Sequence, residues 1–206
     1  MRGIFISFEG SEGSGKSTQA RLLSDWLRTQ GISTILTREP GGTPIGERIR
    51  EVLLSPDHRE MDPITELFLY LASRRQHIKE LIEPSLKEGK IVITDRFSDS
   101  TMAYQGYGRG LDLSLIESLN RTATGGLSPD LTILLDVDVR EGLSRNLGIK
   151  SDRLEIEDIE FHEKVRRGFI EIAKKEPKRV FIVETKNGIK KTHDEILAIV
   201  REWIQR

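Results

Sequence analysis

The sequence predicts an α/β protein in which a five-stranded parallel sheet is flanked by helices. Two observations carry this prediction. Five short apolar runs rich in β-branched residues, Ile4 to Phe8, Ser33 to Thr37, Ile91 to Thr94, Leu131 to Val137 and Val180 to Val183, alternate with segments of helical periodicity. That is the pattern of parallel strands joined by crossover helices, each strand covered on both faces. The second observation is local: between the first run and the first helical segment stands GSEGSGKST, Gly10 to Thr18.

Strand, glycine loop and helix in that order make a phosphate cradle. Gly10, Gly13 and Gly15 can take positive φ and let backbone N–H groups close around phosphate oxygens. The helix beginning near Ser17 points its positive end at the same place. Lys16 would reach the β- and γ-phosphates of a nucleoside triphosphate, and Ser17 would ligate Mg²⁺. The class narrows to a three-layer P-loop fold.

At 206 residues a single domain spanning 1–206 is expected, with one short mobile lid at about 141–154. Lys and Arg number 32 against 33 Asp and Glu, a net charge of −1, so neither nucleic acid nor a membrane is attracted in general. There is no cysteine, which excludes disulfides and thiol chemistry. The N-terminal apolar run is too short for a signal peptide or a membrane span, and a cytoplasmic location is expected.

The elements follow in order. The first helix, with Leu22, Leu23, Trp26 and Leu27, should end at Gly31, a residue suited to the left-handed position beyond a C-terminus. After the second strand, Glu39-Pro40-Gly41-Gly42 turns the chain at the carboxyl end of the sheet, where open α/β sheets bind ligands. Pro44 to Leu54 reads as an amphipathic helix carrying Arg48 and Arg50. Asp62-Pro63 is an N-cap and first-turn proline for a long helix towards Leu86, which Pro84 kinks or ends. Asp112 caps a helix that Gly125-Gly126 stops. Phe161, Val165, Phe169 and Ile172 mark another amphipathic helix, and Thr192 with Glu195 reads as a capping box for the last one.

The chemistry-bearing residues lie at the predicted strand ends. Asp95 and Arg96 close the third strand and should emerge beside the phosphate loop if that strand neighbours the first. The acid suits the Mg²⁺ shell and the guanidinium a phosphate; the plainer alternative is that they pair with each other. Tyr70 and Arg74, four apart on a helix, can offer a stacking ring and a planar donor fork to a flat heterocycle, or Tyr70 can be a core or rim residue. Thr101, Tyr104 and Gln105 share a helical face, which suits a ligand or a short packed helix equally. Glu12 inside an anion cradle would repel phosphate unless it faces Mg²⁺ or a hydroxyl of a second substrate. Arg145, Lys150 and Arg153 fit either a closing lid or a solvated basic face. His58, His77, His162 and His193 show no metal-ligand spacing. No general base stands out, which fits transfer to an acceptor that is already an anionic phosphate.

The segments FEGSEGSGKSTQ around Gly10, TREPGGT from Thr37, Ala72-Ser73-Arg74, DRF at Asp95 and AYQGYGRG from Ala103 together resemble bacterial thymidylate kinases over nearly the whole chain. That resemblance implies transfer of the ATP γ-phosphoryl group to dTMP with Mg²⁺, and a homodimer. It implies ATP binding by Gly10 to Thr18 with Arg145 and Arg153, and metal binding by Ser17 and Asp95. It places Arg96 and Arg50 on the dTMP phosphate, Tyr70 and Arg74 on thymine, and Thr101 and Gln105 beside the base. Tyr104 falls against the deoxyribose, Glu12 near the sugar 3′-hydroxyl and the metal, and Glu39 and Pro40 in the acceptor site. Lys16, Arg96, Asp95 and Glu12 form the catalytic set, and Thr185-Lys186-Asn187 would lie near adenine. Gly13 stands where some relatives carry an arginine, so the missing charge is expected from the lid. Tyr70 stands where phenylalanine is commoner, and Thr101 where serine or asparagine is usual. Two other readings use the same cradle: a kinase for another pyrimidine monophosphate, and a regulatory P-loop NTPase. Against a GTPase, the sequence has no Asn-Lys-x-Asp signature.

Overall fold

The structure, a computed structural model, describes residues 2–145 and 152–204. Five strands, β1 (Phe5–Glu9), β2 (Thr34–Arg38), β3 (Ile91–Asp95), β4 (Leu131–Asp136) and β5 (Val180–Glu184), form one all-parallel sheet in the order β2-β3-β1-β4-β5. The third strand does neighbour the first. The expected strands are all present, with ends shifted by about a residue because ladder pairing continues to Glu9, Arg38, Asp95 and Glu184.

Alternation along β1 divides the core. Ile6 and Phe8 face α1 (Lys16–Thr29) and α9 (Gly188–Ile204), where they meet Leu23, Leu27, Ile196 and Val200. Phe5 faces the opposite side, packed edge-on against Phe97 at 4.9 Å and among Ile78, Ile82 and Leu86. Glu9 lies on that second face and is buried, which turns a carboxylate towards Phe97, just before the short helix α5 (Ser98–Thr101). The layers therefore carry apolar side chains in both directions while the carboxyl edge is free to hold polar groups.

Several helices begin and end as their sequences dictate. Thr43 caps α2 (Pro44–Leu54), Asp62 caps α3 (Pro63–His77), Asp112 caps α6 (Leu113–Thr124) and Asp158 caps α8 (Ile159–Lys175), each accepting from backbone N–H groups of the first turn. Beyond α1, Gly31 has φ 76°, and Ile32 N–H closes on Leu27 O at 3.1 Å. The long helix after Asp62 does not end at Pro84 but continues to Lys87. It widens into a π-helical turn at Ile78–Ile82 before α4 (Glu83–Lys87), a turn that accommodates the N–H that Pro84 lacks.

One expectation is corrected. Thr192 does not cap the last helix: α9 begins at Gly188, and the Thr192 hydroxyl donates back to Gly188 O at 3.0 Å, one turn earlier. The capping-box spacing is present, but the helix had already started.

Ile133, fully buried at the centre of β4, should behave as a pure packing residue. Ile133→Ala is expected to cost about 2–5 kcal/mol in urea unfolding; a loss below about 1 kcal/mol would mean that the sheet core is looser than its burial indicates.

Candidate active site

A cleft of about 490 Å³ opens at the carboxyl edge of the sheet between the loop after β1, the end of β3 and helices α2 and α3. Its walls include Glu12, Gly13, Gly15, Lys16, Ser17 and Thr18 from the loop, and Glu39, Pro40, Arg50, Tyr70 and Arg74 from the side formed by the turn after β2 and helices α2 and α3. Asp95, Arg96, Thr101, Tyr104 and Gln105 complete it. Sixteen residues expected from sequence thus share one cavity. Gly10, Ser11 and Ser14 lie behind them as the loop's backing.

The loop is shaped by a close approach. Gly13 has φ 67°, and a Cβ there would stand 1.9 Å from Gly142 O of α7 (Val139–Arg145). Any side chain at 13 would clash with that helix, so an arginine of the kind the resemblance allows here has no room. Arg145, one turn further along α7, instead donates to Gly13 O at 3.1 Å and to Thr185 Oγ1 at 3.3 Å. Lys16 Nζ donates to Ser11 O at 2.8 Å and Ser14 Oγ at 3.2 Å. Burial, then Arg96, lowers the Lys16 ammonium to about 8 against the opposing pull of Glu12, Asp95 and Glu9. A nearby polyanion would restore its charge, which is the behaviour wanted of a phosphate-reading lysine.

Ser17 Oγ donates to Asp95 Oδ2, so the two residues expected to address a metal are in contact. Both offer hard oxygen donors at the cleft. Two protein oxygens suit Mg²⁺, which takes most of its ligands from phosphate and water. Among the described residues no group of three or more His, Cys, Asp or Glu could hold a metal by itself.

Arg96 is the junction. It is the one non-glycine residue with positive φ, 73°, among those described. Its N–H donates to Phe8 O at 2.9 Å, and that turn throws the side chain back over the loop. Nη1 donates to Gly10 O at 3.1 Å and Ser100 Oγ at 3.2 Å. Nη2 donates to Glu12 Oε1 at 2.6 Å and Tyr104 OH at 3.1 Å, while Tyr104 OH donates to the same Glu12 oxygen at 2.7 Å. The simple alternative of an Asp95–Arg96 pair is therefore not what forms. Beneath them Glu9 accepts from Phe97 N–H and Ser100 Oγ; burial, then Asp99, pushes it up to about 7.

Arg74 is buried more deeply than its expected role requires, at 1 % exposed. It donates to Glu39 at 2.8 Å, Thr101 at 2.9 Å, Asn120 at 2.6 Å and Phe97 O at 2.9 Å, with its guanidinium over the Phe97 ring. These four bonds leave one of a guanidinium's five N–H groups for a ligand. Glu39 is itself held by His77 at 3.1 Å, and the Glu39–Pro40 peptide is cis. Arg50 donates to Pro40 O at 2.9 Å and lies along the cleft.

Arg153 is a correction. It is not on the cleft wall but 2 % exposed, donating to Leu53 O at 3.0 Å and ion-paired with Glu66. A basic stretch with little apolar content gave no sign that a buried carboxylate on α3 would take one of its arginines. Lys150 lies outside the described residues. Sequence reasoning also missed Arg38, Leu54, Ser100, Asp152, Leu154 and Glu155 on the cavity wall. Arg38 lies inside the quoted TREPGGT segment and Ser100 between two others, so both were within reach; the others come from segments whose closeness only the tertiary fold creates.

The sequence profile described as thymidylate kinase matches residues 8–196. The chain belongs to the thymidylate kinase family. It is 48 % identical over 205 residues to a thymidylate kinase of Geotalea uraniireducens, covering 96 % of each chain. It is 47 % identical over 211 residues to one of a Nostoc species, covering 99 % of this chain and all of that one. The crystal structure of thymidylate kinase from Ehrlichia chaffeensis superposes with a TM-score of 0.81 at 39 % identity, covering 98 % of this chain and 99 % of that chain. As a family of kinases these are phosphotransferases, and the cleft is built for that chemistry.

Burial alone would raise the Glu12 carboxyl, but Arg96, Lys16 and the Tyr104 hydroxyl outweigh it and hold it down to about 2, against an ordinary 4.5. Its stabilisation is fully present above about pH 5 and is lost as pH falls from 4.5 to 2, where the unfolded chain takes the proton first. The difference in unfolding free energy between the native protein and Glu12→Gln should therefore be largest above about pH 5 and narrow towards pH 2. A difference that stays constant across that range would show that Arg96 does not set the carboxylate's proton affinity.

Proposed function

We propose that this chain transfers the γ-phosphoryl group of ATP to the phosphate of dTMP, giving ADP and dTDP. The observation that carries this reading is the single cleft joining the phosphate loop to the Arg74–Gln105 wall, with Arg96 between the two halves. The family supports the acceptor, and the geometry supports the roles.

The loop N–H groups and Lys16 hold the β- and γ-phosphates, and Ser17 and Asp95 would hold Mg²⁺. When bound, the metal neutralises charge on the phosphate oxygens. Arg145 reaches the loop from the donor side. Arg96 and Arg50 grip the acceptor phosphate, so its oxygen is aligned with the γ-phosphorus and the charge that develops between them is balanced. An acceptor phosphate carries a nucleophilic oxygen at neutral pH, which is why no general base is needed. Tyr70 lies against the base, Arg74 directs its last N–H at an exocyclic oxygen, and Thr101 lines the same wall. Tyr104 covers the sugar, and Glu12 addresses its 3′ side.

The chain acts as one domain, with a lid at 141–154, of which 146–151 lie outside the described residues, and Arg145 of that lid serves ATP. The donor-side role expected of Arg153 is not retained. It works as a homodimer in the cytoplasm. Supporting the dimer, Ile45, Val52, Phe68 and Leu115 leave large apolar side chains exposed on α2, α3 and α6, which pack side by side. Among the described residues no helix is long and apolar enough to cross a membrane.

ATP consumption measured across a panel of nucleoside monophosphates should be stimulated by dTMP well above the others, and stimulation by none would remove the reading. Lys16→Ala should lower kcat by about 10²–10³, the size of a lost electrostatic donor at such a site. Near-normal turnover in that variant would place the donor phosphates elsewhere.

A further inference from the structure

Glu66 is a fully buried carboxylate on α3 that no step of the transfer uses. Three donors converge on it. Gln105 Nε2 donates to Oε1 at 2.7 Å, Arg109 reaches Oε1 at 3.4 Å and Oε2 at 3.3 Å, and Arg153 is paired with Oε2. The carboxylate is thereby saturated by cations on one side and by a neutral amide on the other.

The amide is the informative partner. A glutamine side chain has one acceptor end and one donor end, and which way round it lies is set by its neighbours. An ionised carboxylate accepts only, so Gln105 must turn its NH₂ group to Glu66. The reversed amide would press two acceptors together in a buried setting. Its Oε1 is then the end left for the cleft, which Gln105 lines, and that oxygen has no hydrogen-bond partner among the described residues.

Arg74, on the same wall, has one N–H left after its four internal bonds. The wall therefore presents one fixed donor and one fixed acceptor. A pyrimidine with a ring N–H beside an exocyclic oxygen matches this pair. A pyrimidine with a bare ring nitrogen beside an amino group opposes it at both points.

We propose that Glu66 is a positioning residue for base specificity: it locks the Gln105 amide so that an acceptor faces the ring nitrogen, and so selects thymine-type over cytosine-type bases. The inference rests on the dTMP reading of this cleft. It assigns the selection not to a residue that touches the base but to a carboxylate one bond behind it. Arg109 and Arg153 hold that carboxylate in place, so the turn that carries Arg153 also supports the reading head.

Glu66→Gln keeps the shape and can keep its oxygen towards the arginines, but offers an NH₂ group to Gln105, which then turns its own NH₂ to the cleft. KM for dTMP and for 5-methyl-dCMP, an isosteric cytosine analogue, should be compared in the native enzyme and in Glu66→Gln at saturating ATP. The ratio of the two KM values is expected to shrink by about tenfold or more, the effect of re-pairing one buried hydrogen bond, with a smaller change in kcat for dTMP. Proportional changes in both KM values would reduce Glu66 to a structural role and overturn the proposal. A neutron structure of the ligand-free native protein reads the amide directly and does not depend on the variant folding. Deuterons on Gln105 directed at Glu66 are expected, and deuterons directed into the cleft would refute the inference. Failure of the native enzyme to phosphorylate dTMP would remove the functional reading while leaving that orientation intact, so the two failures are separable.

Discussion

The ion pair between Arg96 and Glu12 ties the loop after β1 to the end of β3, and much of the site depends on it. Both partners are largely buried, and removal of either leaves an uncompensated charge in a place water barely reaches. Arg96 reaches the loop only because its backbone adopts a left-handed conformation that costs free energy for a residue with a Cβ. The surrounding bonds, to Phe8 O, Gly10 O, Ser100 and Tyr104, over-determine that conformation. The arrangement explains how an acidic residue can sit in a phosphate cradle: its charge is already matched before a phosphate arrives.

From this junction the two halves of the cleft are built by different means. The phosphate-loop half is mostly backbone, shaped by glycine at 13 and by the contact of that glycine with Gly142. The opposite half is mostly side chains held by other side chains. Arg74 is fastened by Glu39, Thr101, Asn120 and Phe97, and Gln105 by Glu66. Rigid recognition groups lose little entropy when a ligand binds, and a base that fits them is favoured over one that leaves them unpaired.

The legibility of these parts in the sequence differed for physical reasons. Strands and helix caps follow from local preferences, so β1, β3 and the Asp62 and Asp112 caps could be read from a few adjacent residues. The phosphate loop was legible because its glycines, Lys16 and Ser17 are contiguous. Thr192 was misread because a capping pattern cannot report that Gly188 starts the helix a turn earlier. Arg153 was misplaced because its partner, Glu66, is 87 residues away, and nothing local marks a buried carboxylate as an acceptor for it. The same holds for Arg74: its helical spacing to Tyr70 predicted exposure to a ligand, while the network that consumes most of its donors is assembled from three other segments. Resemblance to a family supplied roles for residues whose mutual geometry no spacing could reveal.

If the Arg96–Glu12 pair is the connection between donor and acceptor regions, the two residues should act as one unit. The direct measurement is a double-mutant cycle on kcat/KM for dTMP, with Glu12→Gln, Arg96→Lys and the double variant. The account predicts strong non-additivity, with the double variant losing little more than the worse single one. Losses that multiply would contradict it, since Arg96 and Glu12 would then serve the two substrates independently.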